Sequence, residues 1–164
     1  MNITVAAIYE NGVLRPRQPL GLAEGTEVRL TISAPPVDPA QGAEMQRAVG
    51  ATIDRLAALE PNWDSYGAPA LDRDIVDTAR EFIGRLASYI TAQPLVVPMS
   101  SGALQFEWHQ GQKILELEFE DRATVHYLKW DPAAGIQEED VFPVGDTAKA
   151  ISLINWFTEA GANV

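Results

Sequence analysis

The sequence predicts an α+β protein: a short stranded module followed by a domain ordered helix, helix, antiparallel meander, helix. Three observations predict the order of elements in the domain. Apolar residues recur at intervals of three and four between residues 43 and 90, then alternate with polar residues from residue 104, and the helical spacing returns after Asp146. We therefore divide the chain into a β module (residues 1–34), a Pro-rich linker (residues 35–42) and an acidic α+β domain (residues 43–164).

The N-terminal module is predicted to contain three strands. Residues 3–9 are rich in β-forming types, and Asn11-Gly12 is a strong hairpin signal before the return strand Val13-Leu14. Residues 27–32 alternate cleanly and form the third strand. So small a piece has too little core to be stable alone, so its apolar stripe is expected to pair with a second copy, with the rest of the chain or with another protein. The stripe comprises Val5, Ala7, Tyr9, Val28, Leu30 and Ile32.

Two helices are predicted next. The first spans residues 43–59, and the second spans residues 72–90 with Asp72 or a neighbour as its cap. Between them, the loop at residues 60–69 contains Pro61 and Gly67, which interrupt the helical pattern.

The meander is predicted from four strands and a hairpin. Residues 95–97 form a short strand between prolines, and residues 104–108 and 115–119 alternate around Gln110-Gly111. A two-residue loop at Gln110-Gly111 would place Phe106 opposite Leu115 and Leu104 opposite Leu117. Further strands are predicted at residues 124–130 and 141–144, and a last helix from Asp146 to about Glu159, ended by Gly161.

Composition excludes several classes of chemistry. The chain has no cysteine and two histidines, which rules out thiolate chemistry and makes a histidine-rich metal site improbable. No apolar run reaches the roughly 20 residues that span a bilayer, and the N-terminus lacks the pattern of a secretory signal. We expect a cytoplasmic protein with no membrane association and no cofactor.

The net charge of −11 lies entirely outside the N-terminal module. Residues 1–34 sum to zero, whereas the remainder carries 9 basic and 20 acidic side chains. Because an acidic body repels phosphate backbones, we expect no nucleic-acid binding by the α+β domain. The charge favours a basic partner protein, although solubility alone would also explain it.

Two segments resemble known families. The first segment, residues 3–32, contains a recognisable run of residues: Val5, Ala7, Tyr9-Glu10, Gly12, Leu14, Pro16, Pro19-Leu20, Leu22, Glu24-Gly25, Val28 and Leu30. This run resembles the VapB-like antitoxins, which are usually paired with PIN-domain ribonuclease toxins. The loop Asn62-Trp63-Asp64-Ser65-Tyr66-Gly67-Ala68-Pro69 resembles a pattern found in uncharacterised bacterial proteins, which implies no activity. The first resemblance implies that the protein partner is a toxin. This chain differs from the family in that about 130 further residues follow the module instead of a brief tail.

Three features are candidates for function. Glu116 and Glu118 alternate on a strand and could hold Mg²⁺ in a hydrolase, or they simply form a solvated sheet face. Trp63, Asp64 and Tyr66 could bind a partner, or they turn the chain between two helices with Trp63 in the core. His109 is expected at the surface near a turn, and His126 as a half-buried packing residue; either could act as a general base.

We therefore expect a non-enzymatic, protein-binding component of a toxin–antitoxin or bacterial defence system, which restrains a partner protein. The expected partner-binding residues are Val5, Tyr9, Val28, Leu30, Trp63, Asp64 and Tyr66. Homodimerisation through the N-terminal module is expected as well. The alternatives are a metal-dependent hydrolase that uses Glu116 and Glu118, and a scaffold or oligomerisation protein.

Overall fold

The computed structural model describes residue 5 and residues 7–10, 13–16, 19–23, 25–28 and 38–158, with only the backbone described for residues 8–10. The chain divides into two compact units, Met1–Ile32 and Ser33–Val164. Within the described residues, no helix combines the length and the apolar character that crossing a bilayer requires.

The first unit contains a two-stranded antiparallel sheet. Strand β1 spans Ala7–Glu10 and strand β2 spans Val13–Pro16, with Tyr9 paired to Leu14. The return strand thus includes Pro16, which the sequence had placed beyond its end. The predicted turn at residues 11–12 and most of the predicted third strand lie outside the described residues, and Glu27 and Val28 are not in a strand.

Helix α1 begins earlier than the spacing of apolar residues predicts. It spans Pro39–Ala57, and the Asp38 carboxylate caps it by accepting the Ala40 N–H at 2.8 Å. A proline is favourable in the first helical turn because its missing N–H would have no helical partner there. The predicted linker was therefore wrong over residues 39–42, because Asp38-Pro39 starts a helix.

Helix α2 spans Arg73–Leu86 and helix α3 spans Thr147–Thr158. Asp72 caps α2 by accepting the N–H groups of Asp74 and Ile75, which confirms the cap predicted at that position. The predicted end of α3 beyond Thr158, including Gly161, lies outside the described residues.

Five antiparallel strands form a sheet in sequence order, which confirms the α+β class and the meander. The strands are β3 (Leu95–Pro98), β4 (Leu104–Gln110), β5 (Lys113–Phe119), β6 (Thr124–Asp131) and β7 (Ile136–Pro143). Strand β7 is twice the length predicted.

The predicted register of the central hairpin was wrong. Gln110 pairs with Lys113, so the loop is Gly111-Gln112, and Phe106 lies opposite Leu117 rather than Leu115. The first residue of a two-residue hairpin loop takes a positive φ, and Gly111, with a φ of 60°, adopts it more readily than Gln110 would.

The two faces of the sheet have different surroundings. The helix-covered face packs against α1, α2 and α3, and its buried residues belong to one core cluster. It comprises Leu104, Phe106, Trp108, Leu115, Leu117, Phe119, Val125, Tyr127 and Phe142. The ring of Phe119 makes edge-to-face contacts with Phe82 of α2 and with Phe106 of β4, with ring centroids 5.0 and 5.4 Å apart.

The opposite side is the open face, on which no described element of residues 38–158 packs. Its side chains alternate with the buried ones, and except for Gln105 they are partly or fully exposed. The open face comprises Leu95, Val97, Gln105, Glu107, His109, Ile114, Glu116, Glu118, Thr124, His126, Leu128, Trp130, Gln137, Glu139 and Val141.

Candidate functional site

The loop between α1 and α2 has an unusual backbone. Asn62 and Ser65 have positive φ values of 71° and 66°, and Gly67 has 95°. Two non-glycine residues in the left-handed region within four positions are costly, and they persist only where surrounding bonds hold them.

Those bonds come from within the loop itself. The Asp64 carboxylate accepts the backbone N–H groups of Tyr66 at 2.8 Å and Ala68 at 3.1 Å, and the Asn62 side-chain oxygen accepts the N–H of Gly67 at 2.9 Å. The Asn62 N–H closes the loop by donating to the Ala68 carbonyl at 2.6 Å. Donation from Tyr66 and then from Ala68 lowers the pKa of Asp64, because both bonds favour its ionised form. The carboxylate is thus committed to shaping the loop.

Trp63 does not lie in the core, contrary to one of the two roles expected of it. Its side chain is half-buried and outside the core cluster, and its indole N–H donates to the Pro69 carbonyl at 3.0 Å. An indole always carries one N–H that needs an acceptor, and here that acceptor holds the far end of the loop.

Tyr66 stands out from this fixed loop. It is 93% exposed, more than any other large hydrophobic residue whose side chain is described. The structure therefore brings Trp63, Asp64 and Tyr66 together with distinct roles: the first two hold the backbone, and the third is presented to solvent.

The candidates in the first unit form no such arrangement in the described residues. Val5 and Val28 are 38% and 47% exposed, and Tyr9 pairs through its backbone in β1. The side chain of Tyr9 and the whole of Leu30 lie outside the described residues.

Glu116 and Glu118 lie on the open face, as their alternation with Leu115 and Leu117 predicts. Partial burial, and then repulsion from Glu107 directly opposite, raise the pKa of Glu116. Partial burial, and then repulsion from Glu120, raise the pKa of Glu118. In the described part of the chain, no group of three or more His, Asp and Glu side chains is placed so that it could hold a metal ion.

Both histidines lie on the open face. The His109 Nε2 is 2.9 Å from the Glu107 carboxylate, near the hairpin loop, in agreement with the expected surface position. The His126 Nε2 is 3.7 Å from the Glu120 carboxylate, and its side chain is about half exposed, as expected, but it does not pack against the core cluster. Since Val125 and Tyr127 on either side are buried, alternation directs His126 to the opposite face.

A polar cluster beneath α3 was missed by the sequence reasoning. The Tyr127 hydroxyl donates to Glu138, whose other carboxylate oxygen accepts from Lys129 at 2.9 Å, and the Lys149 ammonium donates to the Tyr127 oxygen at 3.0 Å. The bond from Tyr127, and then that from Lys129, lower the pKa of Glu138. Lys129 pairs with Glu138 because β7 begins at Ile136. The predicted strand covered only residues 141–144, so it did not include Glu138.

Comparison with known proteins gives one partial match. The model of a family described as AF2212-like matches residues 1–47, which is less than half of the chain and ends within α1. That description names no activity and is not specific to VapB-like antitoxins. No curated protein and no solved structure is significantly similar to the chain.

Proposed function

We propose that this chain is a non-enzymatic component of a toxin–antitoxin or defence system, which binds and restrains a partner protein. The observation that carries the proposal is a tyrosine 93% exposed on a loop whose backbone is held in a costly conformation by its own side chains. Loops held in this way are found at functional sites, because otherwise nothing favours keeping the strain.

The chemistry of Tyr66 suits protein binding. A tyrosine supplies a large, rigid contact area with only two side-chain torsions to immobilise, and it carries a hydroxyl for a hydrogen bond. Tyrosine is also enriched among the residues that dominate protein interfaces. Because Asp64 and Asn62 fix the backbone beforehand, little further ordering is needed when a partner binds.

The N-terminal segment supports the system to which we assign the chain. Residues 3–32 resemble VapB-like antitoxins, and the AF2212-like match extends over the same segment to residue 47. The resemblance makes a toxin the first candidate partner, and the proposal leaves its enzymatic class open.

The product of an adjacent gene is the natural partner to test. Its expression alone should arrest growth, and co-expression of the present chain should restore it. With the purified pair, Tyr66→Ala should weaken binding about 30-fold, whereas Tyr66→Phe should stay within about three-fold of wild type. Calorimetric titration measures both, and the thermal midpoint should be unchanged because Tyr66 has almost no contacts to lose.

Two outcomes would contradict the proposal in different ways. If Tyr66→Ala binds like wild type, the loop is not the contact surface. If wild-type co-expression fails to restore growth, the restraining role is wrong even if the two proteins bind.

Self-association through the first unit is part of the same proposal. Val13, in strand β2, is 55% exposed and Leu22 is 48% exposed, and the sheet of this unit has only two strands in the described residues. In the full chain, Val13→Asp combined with Leu22→Ser should convert a dimer to a monomer in light scattering. A wild-type chain that is monomeric at every concentration would show that the first unit does not mediate dimerisation.

A further inference from the structure

The open face carries apolar surface that the fold does not use. Leu95 and Val141, near its two edges, are 61% and 45% exposed. Between them, Ile114 lies directly opposite Trp130, and Leu128 lies one row away opposite Glu116. All three of these central residues are partly exposed. Ile114, Leu128, Trp130 and Val141 are neighbours across β5 to β7, whereas the polar open positions of β4 separate Leu95 from them. An exposed apolar patch of this kind is a common site of protein association.

Apart from His109 and His126, every ionisable side chain on the open face is a glutamate. Glu107 lies opposite Glu116, Leu128 separates Glu116 from Glu139 in the same row, and Glu118 lies in the next row. The open-facing positions of β3 to β7 include no lysine or arginine. Like charges directly opposite each other destabilise a sheet. A cationic ligand would remove this cost.

We propose that the open face docks a cationic, amphipathic segment of a partner protein. The apolar side of that segment would cover Ile114, Leu128 and Trp130, and its lysine or arginine side chains would meet the surrounding glutamates. The raised pKa values of Glu116 and Glu118 agree with this, because partial burial is the main cause of both shifts and the neighbouring His109 and His126 offset it only in part.

Charge argues against a second copy as the occupant. A second copy that used the same face would place four glutamates against four, which is the wrong complementarity for a two-fold interface.

Size restricts the occupant to a segment rather than a whole protein surface. Four interstrand spacings give a width of about 19 Å, and five or six residues along a strand give about 18 Å. That area, on the order of 350 Å², is less than half of what each partner buries in a standard interface. It accommodates one helix of about 10 Å diameter.

A synthetic peptide can test the chemistry without the natural partner. We choose an amphipathic helix of about 14 residues, long enough to cross the face, with leucine on one side and lysine on the other. Titrated into the full chain at physiological salt, it should bind and shift the backbone amide NMR signals of β4 to β7. A peptide of equal charge with serine in place of leucine should bind about ten-fold more weakly, because the apolar contact is lost.

Two pairs of substitutions distinguish peptide binding at the open face from attraction to the overall negative charge of the protein. Glu116→Gln combined with Glu118→Gln should weaken peptide binding about five-fold. Glu44→Gln combined with Glu60→Gln removes the same charge from exposed positions away from the sheet and should change binding less than two-fold.

Any of four results would overturn the proposal. They are absence of binding by the leucine–lysine peptide, equal binding by the serine peptide, equal effects of the two variant pairs, and a peptide-free dimer that Glu116→Gln with Glu118→Gln strengthens. None of these measurements involves Tyr66 or the adjacent gene product. Failure here would therefore leave the proposed function standing.

Discussion

The two faces of the sheet use the same strands but place charge in opposite ways. On the helix-covered face, Glu138 lies among Tyr127, Lys129 and Lys149, and its pKa is lowered. On the open face, Glu116 and Glu118 are partly buried without a lysine or arginine nearby, and their pKa values are raised.

The comparison shows that partial burial alone does not determine whether the pKa of a carboxylate is raised or lowered, because the neighbouring charges also contribute. Lys113 and Lys129 both lie over the Trp156 ring of α3, with ammonium-to-centroid distances of 4.7 and 4.8 Å. The cations of this sheet are thus gathered where a helix packs. The open face, which no described helix of the second unit covers, carries glutamates instead. This contrast between the helix-covered face and the open face can be tested.

The largest expected effect separates neighbouring residues on opposite faces. Phe119→Ala should cost about 3–5 kcal/mol of unfolding free energy, because Phe119 is fully buried against Phe82 and Phe106. Glu118→Ala should change it by less than about 0.5 kcal/mol. Urea unfolding measures both, and similar losses for the two variants would contradict the assignment of faces.

Glu138→Gln should have a moderate effect, about 1 kcal/mol or less, because its carboxylate is partly exposed and solvent screens its ion pairs. The lowered pKa fixes the sign. The stabilisation is fully present above the usual pKa of 4.5 and is lost as the pH falls through the lower folded value. Unfolding measured across this range should therefore show wild type and variant converging in acid.

Glu139→Gln is the matched control for that experiment. Glu139 is the next residue on β7, faces the open side, and accepts only a 3.5 Å contact from Gln137 among the side-chain bonds found. A loss equal to that of Glu138→Gln would show that the cluster beneath α3 contributes nothing specific.

Glu116→Gln combined with Glu118→Gln should act in the opposite direction, raising the unfolding free energy at neutral pH by about 0.5 kcal/mol. A raised folded pKa means that ionisation is penalised in the folded state. The penalty is fully present above the folded pKa and disappears as the pH falls through it to below 4.5. A loss of stability at neutral pH would mean that these carboxylates have favourable partners.

The same pair of substitutions sharpens the docking test. A variant that is more stable yet binds the cationic peptide more weakly cannot owe its weaker binding to misfolding.

Element types could be predicted from the sequence because one face of each strand or helix is buried, whereas the other face is mostly partly or fully exposed. The alternation of Leu115, Leu117 and Phe119 with glutamates, and the helical spacing of Ile75, Ala79 and Phe82, both follow from that contrast. Capping at Asp72 could be predicted for the same kind of local reason.

Features that depend on three-dimensional pairing could not be predicted in this way. The predicted register of the central hairpin was wrong because Gly111, with its positive φ, is the first residue of the loop and not the second. The residue types alone permit either position. The position of Tyr66 depends on the backbone N–H groups of Tyr66 and Gly67, which donate to the side-chain oxygens of Asp64 and Asn62. The polar cluster joins Lys149 of α3 to β6 and β7, and no periodicity in the chain encodes that meeting.

The smallest expected effect concerns divalent cations on the open face. Mg²⁺ or Mn²⁺ titrated into the protein should give no stoichiometric binding. In calorimetry, the heats for wild type should match those for the variant that combines Glu116→Gln with Glu118→Gln. Mg²⁺ requires near-octahedral oxygen ligands, whereas Glu107 is already within 2.9 Å of His109 and within 3.3 Å of the Gln105 amide. Glu116 and Glu118 stand two residues apart on a strand, roughly 6.6 Å between Cα atoms, with no third group of suitable placement in the described residues. Tight one-to-one binding that the two substitutions abolish would instead favour a metal-dependent hydrolase, and it would show that the glutamates of the open face await a metal ion rather than a cationic protein segment.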